Sequence, residues 1–155
     1  MRVAEASVAQ GEVLLSSLGL GSCVAILLYD RAVQVGGLAH VLLPSDSMAR
    51  DRTNRAKFPS TAVPLLVEQM RALGAQDRRI EARLVGGASM FTSLVPAGGL
   101  QIGERNAMAS RSALARARIP LLAEDVGGGH GRSVYFYLTD GRVEVHSMAV
   151  GHVVL

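Results

Sequence analysis

Two residues of this chain have the chemistry of a nucleophile and its base. Cys23 is the only cysteine, and His40 is the first of four histidines. A thiol beside an imidazole is the minimal equipment for nucleophilic attack on a carbonyl, and the two need to be neighbours only in space. Each stands at the start of an apolar run after a glycine-bearing segment: Gly19 and Gly21 before Cys23, Gly36 and Gly37 before His40. Glycines there permit backbone conformations that expose a side chain or its amide groups. Ser22 is small and leaves room for a substrate, and the backbone N–H groups from Gly21 through Ser22 to Cys23 are candidate donors to an oxyanion. The competing reading is bland. A lone cysteine is often a small buried hydrophobe, and a strand histidine is often a satisfied core group. The pair alone leaves both readings open.

The elements that must position the pair are short and β-rich. Val24 to Tyr29 and Val41 to Leu43 read as buried strands, and a turn around Asp30 to Gln34 would pair them antiparallel. Upstream, Arg2 to Ala9 and Glu12 to Ser16 read as two further strands. Ser45 to Lys57 is polar and without apolar period: a loop that either lines a site or is a surface excursion. A helix is expected from Ser60, with Ala62, Val63, Leu66, Val67, Met70 and Leu73 at helical spacing and Gly74 as its C-terminal cap. Ile80 to Val85 reads as a strand.

Gly86 to Phe91 then makes a turn. A glycine pair after a strand can cradle an anion, but no Lys-Ser/Thr follows, so a tight turn beside another backbone is the favoured reading. Gly86, Gly87 and Phe91 are also candidates for contact with a substrate or partner. Leu94 to Gln101 is irregular. A second helix opens at Ile102, with Ala107, Met108, Ser112, Ala113, Leu114 and Ala117 as a small-residue face. Leu121 to Val126 is a strand and Gly127 to Gly131 a flexible loop. Val134 to Leu138 and Val143 to His146 form a hairpin turning at Thr139-Asp140-Gly141. The apolar tail from Ser147 to Leu155 adds a last strand or packs on a partner. His130, His146 and His152 are weak candidates, because His-x5-His with one distant cysteine has no recognised zinc spacing. No metal and no cofactor are expected.

At 155 residues the chain suits one domain, 1–155, with a proper core. Hydrophobic residues at 49% and charged residues at 19% place it among globular proteins, not disordered ones. No apolar run is long enough to span a membrane, so no membrane insertion is expected. Nothing near Met1 resembles a signal peptide, and one cysteine cannot make an internal disulfide; a reducing cytoplasm is the expected home. The net charge of +3 comes from scattered arginines without interleaved aromatics, so no nucleic acid is expected, and an acidic protein surface is the better partner.

Laid out in order, several segments resemble the CheD family of chemoreceptor glutamine deamidases. They are Leu-Gly-Leu-Gly-Ser-Cys-Val-Ala (18 to 25), Tyr29-Asp30, Gly-Gly-Leu-Ala-His-Val-Leu-Leu-Pro (36 to 44) and Lys57-Phe58. Val-Gly-Gly-Ala-Ser-Met-Phe (85 to 91), Ile-Gly-Glu-Arg-Asn (102 to 106) and Gly131-Arg132 continue the series. They cover nearly the whole chain, and together they are specific.

The resemblance implies an α/β (α+β) fold: mixed β-sheets packed as a sandwich with two main helices outside, similar to the catalytic domain of cytotoxic necrotizing factor toxins. It implies a Cys-His-Thr trio, carried here by Cys23, His40 and, six residues before the cysteine, Ser17. Serine keeps the hydroxyl and loses a methyl, which implies the same role with looser positioning. An Asp that family members often carry after the Lys-aromatic pair is absent, with Pro59 and Ser60 in its place.

The implied activity is that of a protein-glutamine glutaminase. Cys23 attacks a glutamine carboxamide on the cytoplasmic helical domain of a chemoreceptor, with hydrolysis of receptor methyl esters as a related activity. A thiolate at neutral pH is expected only if His40 lowers the thiol's pKa. The alternative function is a regulatory adaptor binding a CheC-type phosphatase and chemoreceptors, with little catalysis. A general cysteine peptidase fits worse, because no peptidase signature surrounds Cys23.

Overall fold

Alternation of apolar side chains along one strand explains the layering. A computed structural model of the chain describes residues 1–90 and 101–155. In it every residue of β3 (Val24–Asp30) is buried, and its side chains divide between two cores. Val24, Ile26 and Leu28 point to one side, whereas Cys23, Ala25, Leu27 and Tyr29 point to the other. A strand whose neighbours along the chain face opposite ways, and which is apolar on both faces, must be covered on both.

Two helices cover the first side. α1 (Pro59–Ala72) packs on β4 (Val35–Val41) and β1 (Ala6–Gln10). α2 (Ile102–Arg116) packs on β3 and β5 (Glu81–Gly86). A second sheet covers the other side. Leu15 and Leu20 from β2 (Leu14–Leu20), Val134 and Phe136 from β7 (Arg132–Tyr137) and Val143 and Val145 from β8 (Arg142–Ser147) meet Ala25, Leu27 and Leu38 there.

The five-stranded sheet runs β1-β4-β3-β5-β6, with β6 (Leu121–Val126) parallel to β5 and the other neighbours antiparallel. The second sheet runs β2-β7-β8-β9, ending on β9 (Gly151–Val154). The result is an α+β sandwich of two sheets with both helices outside, as expected. Among the described residues no helix is long and apolar enough to cross a membrane.

Three local expectations shift. The second strand of the central hairpin is Val35–Val41 rather than Val41 to Leu43, so Gly36 and Gly37 lie inside it. They are there for space: a Cβ on Gly36 would stand 2.3 Å from Leu138, and one on Gly37 3.0 Å from both Leu66 and Val8. The buried face of α2 is Gly103, Asn106, Ala107, Ser110, Ala113 and Leu114, while Met108 is 51% exposed. Small residues leave the helical face ambiguous, and close approach to the sheet, not hydropathy, selects it. The 45–57 loop contains two short 3-10 turns, 46–48 and 55–57, and the Lys57 carbonyl accepts from the amides of Leu42 and Leu43, fixing the chain as it leaves β4.

Candidate active site

The expected hairpin turns through residues 31–34 and sets the register that places Cys23 and His40. Ala25 stands directly opposite His40, and Val24 opposite Val41. His40 therefore shares the sheet-facing side with Ala25, and Cys23, two residues before Ala25, is its diagonal neighbour on that side. Diagonal side chains on one face lie within reach of each other when one is long. Both residues are buried, Cys23 at 9% and His40 at 2% exposure.

Ser17 reaches the same place from the other sheet. Its hydroxyl lies 2.8 Å from His40 Nδ1, and it is fully buried. The register of β2 against β7 shifts between Ser17 and Leu20, where Gly19 takes φ of +68°. An irregularity of this kind re-aims the strand beside a site. The other imidazole nitrogen, Nε2, is buried and has no hydrogen-bond partner among the described residues. A buried polar nitrogen without a partner is costly, and it marks where a reacting group would complete the arrangement. His40 itself is held by its backbone, which donates to the Glu5 carbonyl at 2.9 Å and accepts from the Ala4 amide at 2.8 Å.

The loop leading to Cys23 is fixed through its carbonyls. Gly21 O accepts from Ala88 N, and Cys23 O accepts from Gly87 N, each at 2.8 Å. Ser22 O accepts from Asn106 Nδ2 at 2.9 Å. The amides of Ser22 and Cys23 donate to no backbone or side-chain oxygen among the described residues, and the Cys23 amide acts on its own sulfur.

Gly86 and Gly87 are buried and turned toward this loop and α2. A Cβ on Gly86 would stand 2.3 Å from the Cys23 carbonyl oxygen, and one on Gly87 2.8 Å from that of Gly103. Both carry positive φ. The tight turn beside another backbone is what the geometry contains; Phe91 lies outside the described residues. A third loop closes on the second: Gly128 O accepts from Ser89 N, and Gly86 O from Gly127 N. Arg132, buried at the start of β7, braces it through Asp125 at 3.0 Å and the His130 carbonyl.

The electrostatics favour neutral groups. Burial pushes the Cys23 thiol up, with its own amide pulling the other way. Burial, and then the nearby amino terminus, hold the His40 imidazole down, with Glu5 opposing. The lowering of the thiol expected from His40 is not found. The resting pair is a thiol and a neutral imidazole that can accept a proton.

Asn106 closes the 102–106 segment of the family resemblance but received no role from the sequence. Its Nδ2 donates to Ser22 O at 2.9 Å and to Leu42 O at 3.0 Å, so one amide ties the segment before Cys23 to the segment after His40. It is fully buried. The available signal was a polar residue on the sheet-facing stripe of α2; the expected stripe shares Ala107, Ala113 and Leu114 with the buried face but leaves out Gly103, Asn106 and Ser110.

Residues 42–147 match the family model described as CheD chemotactic sensory transduction. The chain belongs to the CheD family. That match begins after Ser17, Cys23 and His40, but individual CheD relatives align over longer spans. "Probable chemoreceptor glutamine deamidase CheD" of Caldanaerobacter subterraneus subsp. tengcongensis is 41% identical over 97% of this chain and 91% of its own length. The proteins of the same name from Pyrococcus abyssi and Clostridium botulinum are 42% and 39% identical, over 98% and 96% of this chain and 93% and 92% of their own. The longer alignments leave at most a few terminal residues of this CheD chain uncovered.

Proposed function

We propose that this CheD protein deamidates glutamine side chains on the cytoplasmic helical domain of a chemoreceptor, through a thioester on Cys23. The observation that carries the reading is the buried Nε2 of His40, without a partner among the described residues, on the same sheet face as Cys23 and with Nδ1 anchored on Ser17. The names of the relatives agree with it.

The neutral imidazole takes the thiol proton at Nε2 as sulfur attacks the carboxamide carbon. The carbonyl oxygen becomes an oxyanion at the backbone amides of the loop from Gly21 through Ser22 to Cys23. His40 then returns the proton to nitrogen, the C–N bond breaks and ammonia leaves. Water, deprotonated by His40, attacks the thioester; the C–S bond breaks, sulfur recovers a proton and glutamate remains. Ser17 holds the ring so that Nε2, not Nδ1, does this work.

A receptor glutamate methyl ester enters the same acyl-enzyme with methanol as leaving group, so ester hydrolysis belongs to the reading. The reaction places the protein in the cytoplasm, where that receptor domain lies. A CheC-type phosphatase is a second partner in this reading. The exposed Leu18 and Met90 beside the Cys23 loop offer apolar surface for either protein. Ammonia release from a receptor cytoplasmic fragment tests the proposal. Wild type releases it and Cys23→Ala does not; equal release by both excludes Cys23 as nucleophile, and no release by either, with the phosphatase still bound, favours the adaptor role.

A further inference from the structure

No metal was expected from the spacing of His146 and His152, yet the strand register brings them together. β8 and β9 pair antiparallel with His146 directly opposite His152. Glu144, two residues before His146, lies on the same outward face, while Val143 and Val145 point into the core. Glu144 Oε2 lies 3.4 Å from His146 Nε2 and 3.5 Å from His152 Nε2. All three ligand atoms lie within 4.8 Å of one another. Among the described residues this is the one cluster of three or more such groups.

The geometry points to a zinc site formed by Glu144 Oε2, His146 Nε2 and His152 Nε2, which fastens β9 to β8. Ligand bonds of about 2.0–2.2 Å at tetrahedral angles separate neighbouring donor atoms by about 3.3–3.6 Å, the spacing from carboxylate to each imidazole here. Two imidazoles and one carboxylate suit zinc rather than magnesium or calcium, and three protein ligands leave a fourth position for water.

The surroundings hold the donors in place. Arg142 Nε lies 3.1 Å from the other carboxylate oxygen, Oε1, so Oε2 is the oxygen turned toward the two imidazoles. The Tyr135 ring meets the His146 ring edge-on with centroids 4.9 Å apart. Orientation by neighbours of this kind is what a ligand set needs. The strand it would hold has little else. No residue of β9 is buried, and among the described residues it pairs only with β8, Leu155 just beyond it donating to the Val143 carbonyl. The bland alternative is two exposed imidazoles resting against one half-buried carboxylate, with His146 hydrogen-bonded to it.

Titrating untagged protein with zinc chloride, followed by calorimetry and by hydrogen exchange of the β9 amides, separates the two. One zinc per chain is expected in the micromolar range, with slowed exchange in β9 and no response to magnesium. His152→Ala and Glu144→Gln, both at exposed or half-exposed positions, weaken zinc binding by about 10–100-fold or more and abolish the slowing. Cys23→Ala leaves both unchanged, which separates this site from the catalytic one. Cobalt in place of zinc gives the strong visible absorption of tetrahedral coordination. Binding that survives in His152→Ala, is lost in Cys23→Ala, or is absent from wild type below millimolar zinc overturns the proposal.

Discussion

The Ser17 hydroxyl lies 2.8 Å from His40 Nδ1, although the two residues belong to different sheets. The contact ties the ring's orientation to the packing of one sheet on the other. Ser17→Ala leaves Nδ1 buried without its partner, a loss of about 1–3 kcal/mol. If that is felt in the transition state, the deamidation rate falls about 10–100-fold. Ser17→Thr keeps the hydroxyl and is expected to match or exceed wild type, because the extra methyl restricts χ1. Rates on a receptor fragment check both; a Thr variant as poor as Ala would remove the hydroxyl from the account.

Asn106 joins the Ser22 and Leu42 carbonyls through one amide group. Asn106→Ala strands both acceptors and is expected to destabilise the fold by about 2–4 kcal/mol. Asn106→Asp adds carboxylate repulsion against two carbonyls and costs more. In both, activity at a temperature where the protein is still folded falls further than stability predicts, since Cys23 and His40 lose their common tie. Urea unfolding measured beside turnover tests this, and turnover that merely tracks the folded fraction would contradict it.

Much of this arrangement was legible beforehand. The pairing of the Cys23 strand with the His40 strand followed from two apolar runs and a short polar turn, and the last hairpin from Asp140-Gly141. Ser17 entered through resemblance alone, because a serine in a β-rich run carries no local signal of a partner on another sheet. The glycines at 36 and 37 read as punctuation, yet they sit inside a strand because Leu138, Phe136, Leu66 and Val8 crowd it. The Asn106 tie and the Glu144–His146–His152 cluster depend on register and on which face of α2 is buried, and neither follows from local composition.

Gly86→Ala tests the support behind the thiol. The added Cβ would meet the Cys23 carbonyl oxygen at 2.3 Å, at a φ of +115°. Gly74→Ala is the control: its φ is +98°, but open space surrounds it. Both carry backbone strain of about 1–3 kcal/mol. Only Gly86→Ala is expected to lose most of its activity, and equal activities in the two variants would count against the Gly86 turn as a positioning element.

The pH dependence follows from burial of two neutral groups. The thiol's folded pKa lies above its ordinary value of 9.0, so stability it contributes is present below that value and is lost as pH rises through it. The imidazole's folded pKa lies below its ordinary 6.5, so its contribution is present above that value and is lost as pH falls through it. Alkylation of Cys23 by iodoacetamide is therefore expected to accelerate with pH, with a midpoint above 9.0. A plateau of reactive thiolate reaching into the acid range would mean a Cys23–His40 ion pair instead.

The most direct measurement is peptide-resolved mass spectrometry of a cognate receptor's cytoplasmic fragment after incubation with this protein. The account predicts a gain of about one dalton at defined glutamines, absent with Cys23→Ala and with His40→Ala. An unchanged fragment, or the same gain with Cys23→Ala, would contradict it.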